Sequence, residues 1–152
     1  MSTKKLPVEF RLDEIKTEEF AIIEEAFDEH KEKLSYSFTT NFAILKERRI
    51  LCDISFKFLQ ENIPFIKIKV ACIFYVSEKS WNSCIDKENN QIIFQKKFLD
   101  HLVVLTLGTL RGVLHAKTEG TKFNRFFVPT INVAEINKDI KTFSFQLQNN
   151  TQ

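Results

Sequence analysis

Residues 94–132 read FQKKFLDHLVVLTLGTLRGVLHAKTEGTKFNRFFVPTIN, and this stretch decides the fold. Phe94, Phe98, Leu102 and Leu105 recur at three- and four-residue steps. Leu99, Val103, Leu107, Leu110 and Leu114 form a second series beside them. The spacing predicts a helix from Gln95 to Lys117, about 35 Å long at 1.5 Å per residue. Its apolar stripe is wider than a surface helix needs. A soluble helix that is apolar on two adjacent faces packs against two things. One is its own sheet; the other is a second subunit or a ligand. The run Leu102 to Leu110, bounded by His101 and Arg111, falls well short of the ~20 apolar residues of a membrane span.

Gly108 and Gly112 stand about one turn apart in that helix. Each costs ~1 kcal/mol relative to alanine, and the chain has only 3 glycines to place. The expectation is a close backbone approach, helix against helix, across a subunit interface. The competing reading is a flat spot against the sheet or a frayed helix end. Thr118-Glu119-Gly120 reads as a stop signal. The loop beyond it carries Phe123, Phe126, Phe127 and Val128, which either plug their own core or offer apolar surface to a partner. Asn132 and Glu135 have capping-box spacing, so a short helix is expected from Val133. Ile140, Phe143, Phe145 and Leu147 suit a strand, yet Ile140, Phe143 and Leu147 also suit a helical face.

Upstream the period changes to two. Val8, Phe10 and Leu12 alternate with charged residues, lose step near Glu14-Ile15-Lys16 and resume at Phe20 and Ile22. A bulged or bent strand accounts for that. Glu24 to Lys33 reads as a solvated connection or a short helical turn. Three alternating apolar series follow: Leu34 to Phe42, Ile50 to Phe58, and Ile66 to Val76. A charged turn at Lys46-Glu47-Arg48-Arg49 and a second turn at Gln60 to Pro64 separate them. Three such strands make an antiparallel meander, and the bent first strand adds a fourth. The expected fold class is therefore α+β, a four-stranded antiparallel sheet covered on one face by the long helix. Ser77 to Gln91 is a loop or short helix leading into it. Trp81 there is either an anchor for a partner or a packing residue over the sheet end.

With 152 residues, 43% of them hydrophobic, the chain has enough material for one folded domain. That domain is expected to span 1–152, with 1–7 and 149–152 flexible. The 16 phenylalanines suit cores, interfaces and hydrophobic binding surfaces. A net charge of +2 from 22 basic and 20 acidic residues supplies no overall field for nucleic acid. Three cysteines without a CxxC pair read as reduced thiols of a cytoplasmic protein. Met1 to Leu12 lacks the apolar core of a signal peptide. His101 and His115 lie nearly four helical turns apart, too far to share a metal within one chain. No GxGxxG, P-loop, GxSxG or HExxH occurs. No enzyme activity, cofactor or metal is expected.

Taken in order, these elements resemble the SecB family of bacterial protein-export chaperones. The closest matches are Leu110-Arg111-Gly112 in the helix and Phe127-Val128-Pro129-Thr130-Ile131-Asn132 after it. Glu14-Ile15-Lys16 through Phe20 looks like the family's first strand, and the resemblance runs from about Val8 to Ile136. It implies a sheet with a helix on one face, a terminal helix after the Val-Pro loop, and pairing of two protomers into an eight-stranded sheet. It implies a dimer of dimers stacked through the long helices, with Leu105, Gly108 and Gly112 at the interface. The implied function is ATP-independent holding of unfolded polypeptides in apolar grooves, for export or to protect an unstable antitoxin. Composition and position nominate Leu51, Tyr75, Trp81, Phe123, Phe126 and Phe127 as the client-binding residues. One departure stands out. The export chaperone's outer sheet face is acidic, whereas this one carries Lys57, Lys67 and Lys69, which would repel a basic docking site. That points to a dedicated chaperone with a client such as an antitoxin, without nucleic-acid binding or membrane insertion. The rival class is a carrier of a small apolar ligand held between sheet and helix.

Overall fold

The alternating stretches pair into one antiparallel sheet. The computed structural model describes residues 7–147. Apart from Pro7, the ends expected to be flexible lie outside the described residues. Strands β1 (Phe10–Ile22), β2 (Leu34–Leu45), β3 (Arg49–Gln60) and β4 (Ile63–Val76) lie in the order β1-β4-β3-β2. The expected break in β1 is real: its register against β4 slips between Leu12 and Glu14 and between Thr17 and Glu19. Each slip is a bulge that bends the strand.

Period two then sorts the side chains. Ile50, Cys52, Ile54 and Phe56 of β3, with Ile66, Ile68, Val70, Cys72, Phe74 and Val76 of β4, line one face and are buried. Cys52 stands directly opposite Cys72, and Ile54 opposite Val70. The turn between these strands is Glu61-Asn62, both left-handed with φ of 49° and 65°. That is the backbone of a tight two-residue hairpin turn. Pro64 therefore lies inside β4, where the register against β3 slips beside Leu59, rather than in the turn.

Helix α2 (Lys96–Thr118) covers β3 and β4. Its sheet-facing residues include Leu99, Leu102, Val103, Leu107, Leu110 and Leu114, all buried. Each such leucine is worth about 1.5–3 kcal/mol. Thr106 sits among them, and its hydroxyl donates to the Leu102 carbonyl at 2.8 Å, which makes burial tolerable. Gly120, at φ 76°, takes the left-handed conformation that follows the helix end. By length and composition α2 would suffice to cross a membrane; here its apolar inner face is packed on the sheet.

Between β4 and α2 come the short helix α1 (Glu78–Ser83) and strands β5 (Ile85–Asp86) and β6 (Gln91–Gln95). Phe94 belongs to β6, not to the helix, and is fully buried. Strand β7 (Thr142–Gln146) pairs antiparallel with β6 and completes a second, three-stranded sheet. The ambiguous tail is thus a strand over those residues, and the terminal helix implied by the resemblance is replaced. Phe143 and Phe145 stand opposite Phe94 and Ile92, and that contact selects the strand. At Val133–Glu135 only a single 3-10 turn forms, and the Asn132 side chain makes no capping bond.

Polar clamps hold the loops. Gln60 is 3% exposed and fastens the connection between β1 and β2. Its side-chain oxygen accepts from the Asp28 N–H at 2.7 Å. Its amide donates to the carbonyls of Asp28 at 2.7 Å and Lys31 at 3.1 Å. Lys96 is also buried; its ammonium donates to Asp100 at 2.6 Å and to the Ala134 carbonyl at 3.2 Å.

Candidate functional site

The helix does not reach across the whole sheet. On edge strand β2 the inward-facing residues are left partly bare: Leu34 is 53% and Tyr36 47% exposed, while Phe38 and Phe42 are half-buried. Tyr36 stacks on Phe56 with ring centroids 5.5 Å apart and planes 10° from parallel. Phe38 lies 6.4 Å from the same ring. From Phe56 the rings continue to Phe58 at 4.9 Å, to Phe126 at 5.7 Å and to Phe27 at 5.5 Å. An aromatic band therefore runs from the open edge of β2 to the loop after α2.

Each contributor is there for a local reason. Alternation aims Tyr36, Phe38 and Phe42 at the helix side of the sheet. Phe27 comes from the connection that Gln60 fastens. Phe126 follows a 3-10 turn, Lys122–Arg125, whose start is capped by the Thr121 hydroxyl accepting from the Phe123 N–H at 3.2 Å. The loop beyond is tied to α2: Arg111 donates to the carbonyls of Val128 at 3.3 Å and Pro129 at 3.1 Å. Near the other end of β2, Thr40 and Phe42 open onto a cavity of about 100 Å³ lined also by Val103, Val133, Ile136 and Phe143.

The band is rimmed by cations. The Arg125 guanidinium lies 5.1 Å from the Phe126 centroid and 5.3 Å from that of Phe27. Lys122 lies 5.9 Å from Phe27. Such a surface buries apolar side chains and tolerates acidic ones at its margin. Among the described residues no group of three or more His, Cys, Asp or Glu is placed to hold a metal ion. Burial pushes the Cys52 thiol up to about 12, against a smaller opposing effect of its hydrogen bond with Thr106, so it is no nucleophile at neutral pH.

The six nominated client-binding residues do not form one site. Phe127 is 60% exposed and stacks 6.3 Å from the His115 ring at the end of α2. Phe126 is partly exposed within the band. Phe123 is fully enclosed, and Trp81 is 8% exposed and packs on Phe94 at 6.0 Å. Neither presents surface to a client; they are the plug and the packing residue of the competing readings. Leu51 and Tyr75 lie on the opposite face of the sheet, away from the helix. Tyr75 there sits under Arg11 at 4.7 Å and Arg48 at 5.3 Å and is hydrogen-bonded to Arg48 through its hydroxyl. In the sequence Leu34, Tyr36, Phe38 and Phe42 alternate like the buried faces of β3 and β4. Only the strand order, which places β2 at an edge, reveals them as surface.

A second apolar surface lies on the outer side of α2. Val104 is 52% and Leu105 40% exposed, with Gly108 and Gly112 exposed in line with them. A Cβ added at either glycine would meet nothing within 4 Å. Both glycines sit well inside the helix and face away from the sheet. Neither a flat spot against the sheet nor a frayed end therefore explains them.

No protein-family model matches the chain, and no curated protein matches it. Among solved structures it is similar to a Mycobacterium tuberculosis SecB-like chaperone, determined in complex with a peptide from the HigA1 antitoxin. The identity is 8%, the match covers 81% of this chain and 91% of that one, and the TM-score is 0.45.

Proposed function

We propose that this protein is a non-enzymatic, ATP-independent holdase that binds unfolded or unstable polypeptide on the aromatic band between β2 and the loop after α2. The observation that carries the reading is the exposure of Leu34 and Tyr36 at one end of a path of ring contacts that passes through buried Phe56 and Phe58 to the partly exposed Phe126, with exposed Phe127 next to it in the chain. An unfolded segment laid on it loses water-exposed apolar area at about 25 cal/mol per Å². Rings accept many side chains without demanding particular hydrogen bonds, which suits varied or disordered clients. A dedicated client such as an antitoxin, and a cytoplasmic setting, are part of the proposal.

Assembly belongs to it as well. The outer side of α2, with Val104, Leu105 and two glycines open to approach, is proposed as the contact between dimers. The bare edge of β1, where Leu12 and Ile15 are each 48% exposed, is proposed as the contact within them. The ligand-carrier alternative has only the cavity of about 100 Å³ beside Phe42 and Val103; along the centre of the sheet Leu102, Leu110, Ile54 and Val70 are at 0% exposure and leave no lumen.

The test is suppression of aggregation of a urea-unfolded reporter protein, without nucleotide. Wild type is expected to suppress it at near-stoichiometric ratios, and Tyr36→Ser with Phe127→Ser to lose most of that capacity while keeping the wild-type circular dichroism. A well-folded wild type that leaves aggregation untouched overturns the reading.

A further inference from the structure

The outer face of the sheet carries a second feature. Residues facing away from the helix fall into rows across the strands. In one row Ser37, Lys57, Lys67 and Ala21 stand side by side; in the next, Thr39, Ser55, Lys69 and Glu19. These two rows line a trough of about 370 Å³. Lys69 is already answered, since its ammonium lies 3.3 Å from Glu18. Lys57 and Lys67 are not. They face each other directly across β3 and β4, and neither makes an ion pair among the described residues. Like charges directly opposite on neighbouring strands are destabilising, and nothing in the fold requires both.

We infer that this trough is a docking site for a short acidic segment of a partner protein, with one carboxylate between Lys57 and Lys67. The hydroxyls of Ser37, Thr39 and Ser55 line the same trough and supply neutral donors to carboxylate oxygens. The surroundings set the length of the occupant. Glu19 lines the trough toward β1, where Glu18 also holds Lys69, and the next row presents Asp53 and Lys16, then Glu14. A nucleic-acid strand, charged at every step, would run straight into those carboxylates. A peptide with two or three acidic side chains ends before it meets them. The site lies on the face opposite the aromatic band, so a bound partner and a held client do not compete.

The experiment is fluorescence anisotropy of a short labelled peptide of alternating glutamate and glycine added to the full chain. Binding is expected, weakening roughly tenfold between low and moderate salt as exposed charges are screened. It should weaken at least about tenfold in Lys57→Glu/Lys67→Glu and severalfold in the milder Lys57→Gln/Lys67→Gln. Lys79→Gln/Lys87→Gln, on another surface, should leave it unchanged. Tyr36→Ser should also leave it unchanged, which separates this site from the holding surface. No binding, or binding indifferent to both Lys57/Lys67 variants, overturns the inference. So does tighter binding of oligo-dT than of the peptide, or competition by inorganic phosphate at equal concentration.

Discussion

Arg111 reaches from the middle of the long helix to the carbonyls of Val128 and Pro129, at 3.3 and 3.1 Å. The two short stretches on which the family resemblance rests, Leu-Arg-Gly and Val-Pro-Thr-Ile-Asn, are thus the two halves of one clamp. It fixes the loop that carries Phe126 and Phe127. A planar guanidinium can serve two carbonyls at once, and an ammonium cannot match that fork.

Arg111→Met is therefore expected to lower unfolding free energy by about 2 kcal/mol. Limited proteolysis should find new cleavage between Gly120 and Asn132. Arg111→Lys should recover the solubility of the chain but less than half of the lost stability. Urea denaturation of the three proteins decides it, and identical midpoints would refute the clamp.

Gly108→Leu should behave in an unusual way. The Cβ meets open space, and replacing a helical glycine gains up to about 1 kcal/mol. The subunit itself is expected to be at least as stable as wild type. Light scattering should nonetheless show a tetramer reduced to a dimer, because the added side chain holds the two helices apart. A monomeric wild type would end the stacked-helix proposal.

Buried Lys96 pairs at 2.6 Å with half-buried Asp100 and also ties down the Ala134 carbonyl. Removing one partner strands the other charge. Asp100→Asn should cost about 2 kcal/mol, whereas Lys96→Met together with Asp100→Leu should cost less. The comparison is a double-mutant cycle by thermal or urea unfolding; additive losses would contradict the coupling.

The Cys52 thiol sets an alkaline limit. In the folded chain its pKa is about 12 against an ordinary 9.0. Because the folded value is the raised one, the stabilisation is complete below pH 9 and is lost as pH climbs from 9 toward 12. The slope is about 1.4 kcal/mol per pH unit. Cys52→Ala should flatten that decline, at the cost of a small cavity. At neutral pH a maleimide should label Cys84 first, since Cys52 and Cys72 are buried. Rapid labelling of all three thiols in the folded protein would contradict this.

Most of the sheet and the long helix were legible because period and burial coincide there. The register slip in β1 showed as the broken alternation at Glu14-Ile15-Lys16. Phe94 misled because it continues the helical spacing of Phe98 and Leu102, while its burial comes from pairing with Phe143 on a strand dozens of residues later. The tail stayed ambiguous for the same reason. The site was less legible than the fold. Tyr36 and Ile54 look alike in an alternating pattern, and only the order β1-β4-β3-β2 makes one an edge and the other a centre. Phe123 and Phe127 differ by four positions and by complete enclosure against 60% exposure; a phenylalanine-rich loop carries no mark of which ring turns inward.

The strand order also has a consequence in time. β2 pairs with β3 and β3 with β4, each across a turn of a few residues. β1 pairs only with β4, Phe10 with Val76 at one end and Ile22 with Ile66 at the other. Contacts so distant along the chain close slowly. During synthesis β1 is therefore expected to stay unpaired until β4 has emerged. The meander is expected to form without it, and β1 to dock last. A protein proposed to shelter unfinished chains is thus expected to pass through a stage in which its own β1 is an unpartnered segment of that kind.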